Sequence, residues 1–283
     1  MPSRTTGLPV LSVSRRTDMV RWYPGDLVRT LEARYPPDKV HSIVVVTKFP
    51  EAMLKEPLIS VLGRYDLVTA QVTITGLGGT RFEPRVPPAE KTLRSLPRLI
   101  DLLGSPERVS VRIDPILHWR EEDDGPVRSN LGFFREIAEE ARRSGVGLVK
   151  TSLASAYSKV VRRFRERGLE FVDPAGQQRE RAVATLEKEA AAAGLSLEFC
   201  CEGTRPPRAC VDGRLLTRLH PLGLVASREQ AAGQRAHCGC TRSIDLAWYS
   251  SHPCPSGCLY CYANPLFPDA RPRPGPGGKA ADK

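Results

Sequence analysis

The strongest constraint on the fold of this chain is a repeated switch in the period of its apolar residues. Short β-branched runs alternate with longer stretches whose apolar positions recur at helical spacing. Strands are expected at Val10–Ser14, Ser42–Thr47, Leu67–Thr75, Val109–Asp114, Gly147–Ser152 and Leu195–Cys200, with one more at Ser243–Tyr249. Helical spacing fills Pro24–Tyr35, Ala52–Arg64, Ala89–Leu103 and Asn130–Ser144; Pro87 and Pro88 precede one such stretch and Gly145 follows another. Strand-then-helix repetition argues for a parallel sheet with helices outside it, open or curled into a barrel. The expected class is therefore α/β, a partial (β/α) barrel of about six or seven parallel strands with a Cys-rich C-terminal region. No internal repeat is visible.

At 283 residues the chain can bury one sizeable core, and its hydrophobic share of 41% is ordinary for a globular protein. Residues 1–195 are expected to form the barrel portion, and 196–268 a Cys-rich segment that completes it. Residues 269–283, rich in Pro, Gly, Arg and Lys, read as a disordered tail. No run of eighteen apolar residues and no N-terminal signal pattern occurs, so a cytoplasmic protein without a membrane partner is expected. The formal charge of +10 favours anionic partners, nucleic acid among them. Much of it lies at Lys159, Arg162, Arg163, Arg165 and Arg167, a pattern that also suits a plain solvated helix face.

All eight cysteines fall between Cys200 and Cys261. Disulfides are disfavoured in a reducing compartment, so cysteines at such short spacing point to metal or catalysis. Cys254, Cys258 and Cys261 stand within eight residues, on a loop that Pro255 and Gly257 bend, and can wrap one ion or cluster. Iron–sulfur clusters are held by thiolates, usually four; three would leave one iron open to a small molecule. A structural zinc with a fourth ligand such as His252 or Cys238 is the competing reading.

The Cys-x3-Cys-x2-Cys spacing, with Tyr260 just before the last cysteine, resembles the cluster loop of the radical SAM superfamily. The resemblance implies a 4Fe–4S cluster on Cys254, Cys258 and Cys261, S-adenosylmethionine on the open iron, and Tyr260 beside the adenine. It also implies an electron donor such as flavodoxin or ferredoxin and a 5′-deoxyadenosyl radical acting on an unknown substrate. Further landmarks, Val44–Lys48, Thr73–Gly76, Glu83–Pro87 and Val111–Ile116, look like the mid-barrel motifs of spore photoproduct lyase-like members. In the superfamily the cluster loop comes before those landmarks; here it comes after them. A circular permutation that moves the cluster strand to the C-terminus accounts for the order, and domain termini are often close enough to allow it. The whole chain also resembles an uncharacterised bacterial family, a domain of unknown function, through Ser14-Arg-Arg-Thr-Asp18, Cys238-Gly-Cys240 and the Cys258-x-x-Cys-Tyr-Ala-Asn264 ending.

Of the remaining cysteines, Cys201, Cys210, Cys238 and Cys240 can close a second site, an auxiliary cluster or a zinc. Cys200 is expected to point into packing, and free buried thiols are the alternative for the whole set. Barrel enzymes place chemistry at the C-terminal ends of strands. Arg15, Arg16 and Asp18 then become candidates for the methionine end of S-adenosylmethionine, or else form an ordinary polar loop. Lys48, Glu83, Arg112 and Asp114 are further candidates at strand ends, because buried charges need partners or a ligand. A zinc-stabilised nucleic-acid-binding or structural protein without catalysis is the alternative function.

Overall fold

Strands buried on both faces carry nearly unbroken apolar runs, because a parallel sheet is covered on each side. The computed structural model, which describes residues 7–121, 125–248 and 250–267, has such a sheet at its centre. The expected tail, 269–283, lies outside the described residues.

Strand β1 (Val10–Val13) leads through α1 (Met19–Trp22) and α2 (Pro24–Arg34) to β2 (Ser42–Thr47). Short helices α3 (Pro50–Met53) and α4 (Leu58–Leu62) precede β3 (Val68–Thr73), and α5 (Ala89–Leu93) and α6 (Leu96–Leu103) precede β4 (Val109–Ile116). A side excursion, β5 (His118–Arg120) and β6 (Arg128–Ser129), is followed by α7 (Phe134–Arg143) and β7 (Leu148–Leu153). Then come α8 (Ser158–Arg165), β8 (Glu170–Val172), α9 (Gly176–Ala192) and β9 (Ser196–Phe199). Beyond β9 the regular elements are α10 (Gly213–Leu219) and β10 (Ile244–Asp245).

Seven strands pair in the order β10-β1-β2-β3-β4-β7-β9, all parallel. This is the expected partial barrel. Its first strand in space is the last in sequence: Leu11 pairs with Ile244 and Ser12 with Asp245. The C-terminal strand thus stands where a permuted barrel requires it.

Three expectations need correction. The strand foreseen over Ser243–Tyr249, of which Tyr249 lies outside the described residues, pairs among the rest only at Ile244–Asp245. The helix foreseen over Ala52–Arg64 breaks into α3 and α4 around Pro57, which offers no N–H to continue a helical ladder. The one over Ala89–Leu103 breaks at Arg94–Ser95, ahead of Pro97 in the first turn of α6. A three-stranded antiparallel sheet, β6-β5-β8, was not foreseen.

Alternation along each strand sorts side chains onto two faces. Leu11, Val13, Ile43, Val45, Val72 and Val111 pack against Leu27, Leu31, Leu99 and Phe134 of the outer helices. A fully buried aliphatic side chain of this kind stabilises by about 1.5–3 kcal/mol. The other face is apolar at the bottom, where Val10, Val44 and Leu67 meet Val211, Leu216 and Ala226. Higher up it turns polar, at Gln71, Arg112 and Lys150. The Cys-rich segment is fastened there: Gln71 and Lys150 donate to the carbonyls of Cys210 and Ala209. Within the segment, Gly213 lets the chain fold closely on itself, since a Cβ there would lie 2.1 Å from the Ser227 carbonyl.

Candidate metal and cofactor site

The C-terminal ends of the strands converge on one cavity of about 280 Å3. Ser14 follows β1 with φ of 72°, a left-handed turn, and its hydroxyl accepts from the Met19 amide at 2.9 Å. The turn returns Asp18 to the end of β2. There its carboxylate accepts from Thr47 Oγ1 at 2.9 Å and from the Lys48 amide at 2.8 Å. Burial pushes the Asp18 carboxyl up to about 6, against the pull of those hydrogen bonds. Arg15 and Arg16 both reach Asp245 of β10 at 3.4 Å, which ties the two strand ends together. Arg15 also donates to Gln234, and the Arg16 guanidinium lies over the Trp248 ring.

Lys48, just beyond the end of β2, reaches Glu83 Oε1 at 2.8 Å. Burial alone would lower the Lys48 ammonium; Glu83 overrides it and the net direction is upward. Glu83 is fully buried behind the cavity wall, not on it. Its Oε1 also accepts from Thr75 and from the Tyr260 hydroxyl, while Oε2 has no hydrogen-bond partner. Burial, and then the Glu83 charge, raise the Tyr260 phenol well above its ordinary value, so it stays a neutral donor. On β4, Arg112 pairs with Asp114, and Asp114 accepts from Ser152 of β7.

Cys254, Cys258 and Cys261 all line the cavity. Their loop has little regular structure and is held by side chains from elsewhere. Tyr23 donates to the Pro253 carbonyl at 2.7 Å, Trp22 Nε1 to Ser256 Oγ at 2.9 Å, and Thr17 to the His252 carbonyl. Arg163 of α8 donates to the carbonyls of Leu259, Cys261 and Ala263. Burial raises the thiols of Cys258 and Cys261 above the ordinary range, so as bare thiols they stay protonated. The donors around them suit thiolates: the Ala263 amide points at Cys261 Sγ at 3.4 Å, and the Lys48 charge acts on Cys258. Among the described residues, no three His, Cys, Asp or Glu side chains already form a closed coordinating array. A metal or cluster would draw the thiols inward. The three cysteines, their shared wall and these donors fit such a group. His252, weighed above as a fourth zinc ligand, instead packs its ring on Tyr23 and lies outside this cavity.

The same cavity is lined by Cys200, Cys210, Cys238 and Cys240. Cys201, expected at the exposed end of its strand, has φ of 57° and turns away from the cavity, while Cys200, expected in packing, faces it. Thus Arg15, Arg16, Asp18, Lys48, Arg112, Asp114 and Tyr260 share one chamber with both cysteine groups, and Glu83 supports it from behind. Arg163, Arg235 and Gln234 are contacts that sequence reasoning missed. Arg163 sits in a basic run whose spacing looks like a solvated face, and only the fold brings it to a loop about a hundred residues away.

Among the described residues no helix is long and apolar enough to cross a membrane. Among solved structures, the chain is similar to SuiB of Streptococcus suis at 10% identity and a TM-score of 0.36, covering 69% of this chain and 50% of SuiB. It therefore spans about half the length of that protein. It is similar to a D-allulose 3-epimerase from Methylomonas sp. at 11% identity and a TM-score of 0.42, covering 94% and 84% of the two chains. The carboxyl transferase domain of Rhizobium etli pyruvate carboxylase matches at 13% identity and a TM-score of 0.30, over 92% and 42%. Likeness at this level carries no argument about activity. Among curated proteins none matches. Residues 28–263 match the family described as a domain of unknown function, DUF1848, and over that span the chain belongs to it.

Proposed function

We propose that this chain is a radical-SAM-type iron–sulfur enzyme acting in a reducing compartment, the cytoplasm, on a substrate held at the C-terminal ends of its sheet. The observation that carries the reading is that Cys254, Cys258 and Cys261 line one chamber with Asp18, Lys48, Arg112 and Asp114. Three cysteine ligands would leave one iron of a 4Fe–4S cluster open to S-adenosylmethionine. When bound and reduced, for example by a flavodoxin or ferredoxin, that cluster would supply the electron that cleaves S-adenosylmethionine to methionine and a 5′-deoxyadenosyl radical.

The chain's own residues bind, orient and exclude water. Arg15 and Arg16, anchored on Asp245, offer guanidinium edges to a carboxylate. Asp18 is fixed by Thr47 and Lys48 as an acceptor for an ammonium group. Tyr260 is held by Glu83 and places its ring beside the cysteine loop as an adenine neighbour. Arg112 and Asp114 face the remaining space, where substrate would lie.

The test is anaerobic purification and reconstitution, with iron and sulfide analysis, dithionite reduction and detection of 5′-deoxyadenosine from added S-adenosylmethionine. Iron-loaded protein that forms 5′-deoxyadenosine is the expected result. Zinc without iron, or unchanged S-adenosylmethionine cleavage by Cys258→Ala, would overturn the proposal.

A nucleic-acid substrate is a second reading. It is favoured by a cleft of about 950 Å3 beside the chamber, lined by Arg29, Arg34 and Arg242 with the exposed Trp248. Cations interleaved with an aromatic ring suit a strand's phosphates and bases. Binding of single-stranded DNA or RNA should then weaken steeply with salt.

A further inference from the structure

Five cysteines lie apart from the loop just described, and they do not scatter. Cys238 and Cys240 are buried and pack with Cys201, Cys210, Ala209 and Ala231 in one small cluster. Cys200 adjoins it, its Sγ 3.8 Å from that of Cys201. Sulfurs around a tetrahedral zinc, each about 2.3 Å from the metal, stand about 3.8 Å apart, so the two thiols at the end of β9 have that spacing and either is placed to supply one ligand.

Free cysteine is a common core residue and packing alone explains nothing. The donors aimed at these sulfurs do. Arg112 Nη1 points at Cys210 Sγ at 2.8 Å, and the Cys210 amide at Cys240 Sγ at 3.2 Å. Arg235 Nη2 points at Cys200 Sγ at 3.6 Å. The Arg112 side chain is only 11% exposed, and besides Asp114 and Gln71 its nearest acceptor is that sulfur. A neutral thiol is a weak acceptor, whereas a thiolate is a strong one and is the form that binds metal. N–H groups placed on sulfur are the outer contacts that fix ligands and tune a thiolate-held centre.

We infer that Cys201, Cys210, Cys238 and Cys240 hold a second thiolate-bound metal centre, an iron–sulfur cluster or a zinc, at the wall of the chamber and separate from the Cys254–Cys261 loop. Cys200, which faces the chamber and takes the Arg235 contact, is the fifth thiol and stands in reserve for the same corner of the site as Cys201. The ring closes because three separate segments meet. The end of β9 brings Cys201, the stretch anchored by Lys150 brings Cys210, and Gly239 keeps the third segment flat enough to pass the Arg208 backbone, 3.1 Å from where a Cβ would stand. The site uses none of the three loop cysteines and does not depend on the proposed activity.

The test isolates it. A chain carrying Cys254→Ala, Cys258→Ala and Cys261→Ala together is purified without oxygen, supplied with iron and sulfide or with zinc, and analysed for metal, acid-labile sulfide and reactive thiols. The expected result is one retained centre with four protected thiols. Iron with sulfide identifies a cluster and zinc without sulfide a zinc site. Adding Cys210→Ser and Cys240→Ser should remove it, whereas Cys200→Ala should not. A triple variant with unchanged circular dichroism, no bound metal and five reactive thiols would overturn the inference. If the triple variant does not fold, Cys210→Ser/Cys240→Ser in the otherwise intact chain should lower the metal content by one centre, and an unchanged content overturns it. Absence of S-adenosylmethionine cleavage would sink the proposed function and leave this result standing.

Discussion

The sheet and the Cys-rich segment are built by different means. From β1 to β9 the chain has no cysteine and makes its structure by burying aliphatic side chains between strands and helices. After β9, only α10 and the two-residue β10 are regular among the described residues, and the segment is held by side chains from the sheet and helices. Gln71, Lys150, Tyr23, Trp22 and Arg163 each bond a backbone or hydroxyl group of it. The first region should therefore fold on its own apolar burial. The second has its shape imposed by clamps and, by our proposals, by metal. Damage to either should be separable from damage to the other.

The largest expected effect falls on chemistry without falling on the sheet. Cys258→Ala should reduce 5′-deoxyadenosine formation to background while leaving far-ultraviolet circular dichroism unchanged. If the variant lost its secondary structure as well, the two regions would not be independent. The converse is Phe134→Ala, at a fully buried aromatic of α7 in the core cluster between sheet and helices, which contains no cysteine. It should cost about 3–5 kcal/mol of stability in denaturant melts. Below that cost, and at temperatures where the variant stays folded, metal content should be normal.

Arg163→Ala probes the seam. It removes a side chain that donates to three carbonyls of the cysteine loop, with an expected local cost of about 1–3 kcal/mol. Hydrogen exchange should quicken across residues 258–264 and stay unchanged in β2 and β3. Faster exchange throughout the sheet would mean that the loop supports the core, against the comparison drawn here.

Legibility in the sequence divides along the same line. The core strands could be read because burial on both faces leaves unbroken apolar runs such as Ile43–Val46, and alternation then placed Arg112 and Asp114 on one face. The chamber's polar residues were found because charges at strand ends stand out against those runs. The Ser243–Tyr249 stretch looked like a full strand, yet an edge position with one neighbour pairs only Ile244–Asp245. The clamps were invisible for a different reason. Glu83 meets Tyr260 across 177 positions, and no local pattern marks a contact made only by the closed fold. The swap of Cys200 for Cys201 on the chamber wall turns on one left-handed backbone angle, which a Cys-Cys pair does not announce.

The smallest effect concerns how the segment is seated at the bottom of the sheet. His41 and His220 stack at 4.6 Å where the chain after α10 returns to β2. His41 Nε2 donates to the Leu224 carbonyl at 3.1 Å, and its Nδ1 accepts from Ser42. His220 Nε2 donates to the His41 carbonyl at 3.0 Å, and its Nδ1 accepts from the Leu222 amide. Protonating His220 Nδ1 would lose the bond from the Leu222 amide, whereas the Ser42 hydroxyl could turn to accept from a protonated His41, whose charge is opposed by burial. Burial lowers both below their ordinary value of 6.5, as it does His118. The unfolded chain then binds protons that the folded chain refuses. Stability contributed by these rings is complete above pH 6.5 and declines as pH falls below it, by no more than about 1.4 kcal/mol per pH unit for each histidine. Asp18 acts in the opposite sense: its carboxyl is raised, so the folded chain keeps a proton that the unfolded chain releases, and this contribution is lost as pH rises from the ordinary 3.8 through about 6. The two trends overlap, and Asp18→Asn separates them. In that background the melting temperature should fall steadily with pH below 6.5, and His220→Gln should reduce the slope without removing it, because His41 and His118 remain. A slope unchanged by His220→Gln would mean that this ring carries no proton linkage, and that the segment is seated by the apolar contacts of Val211 and Leu216 alone.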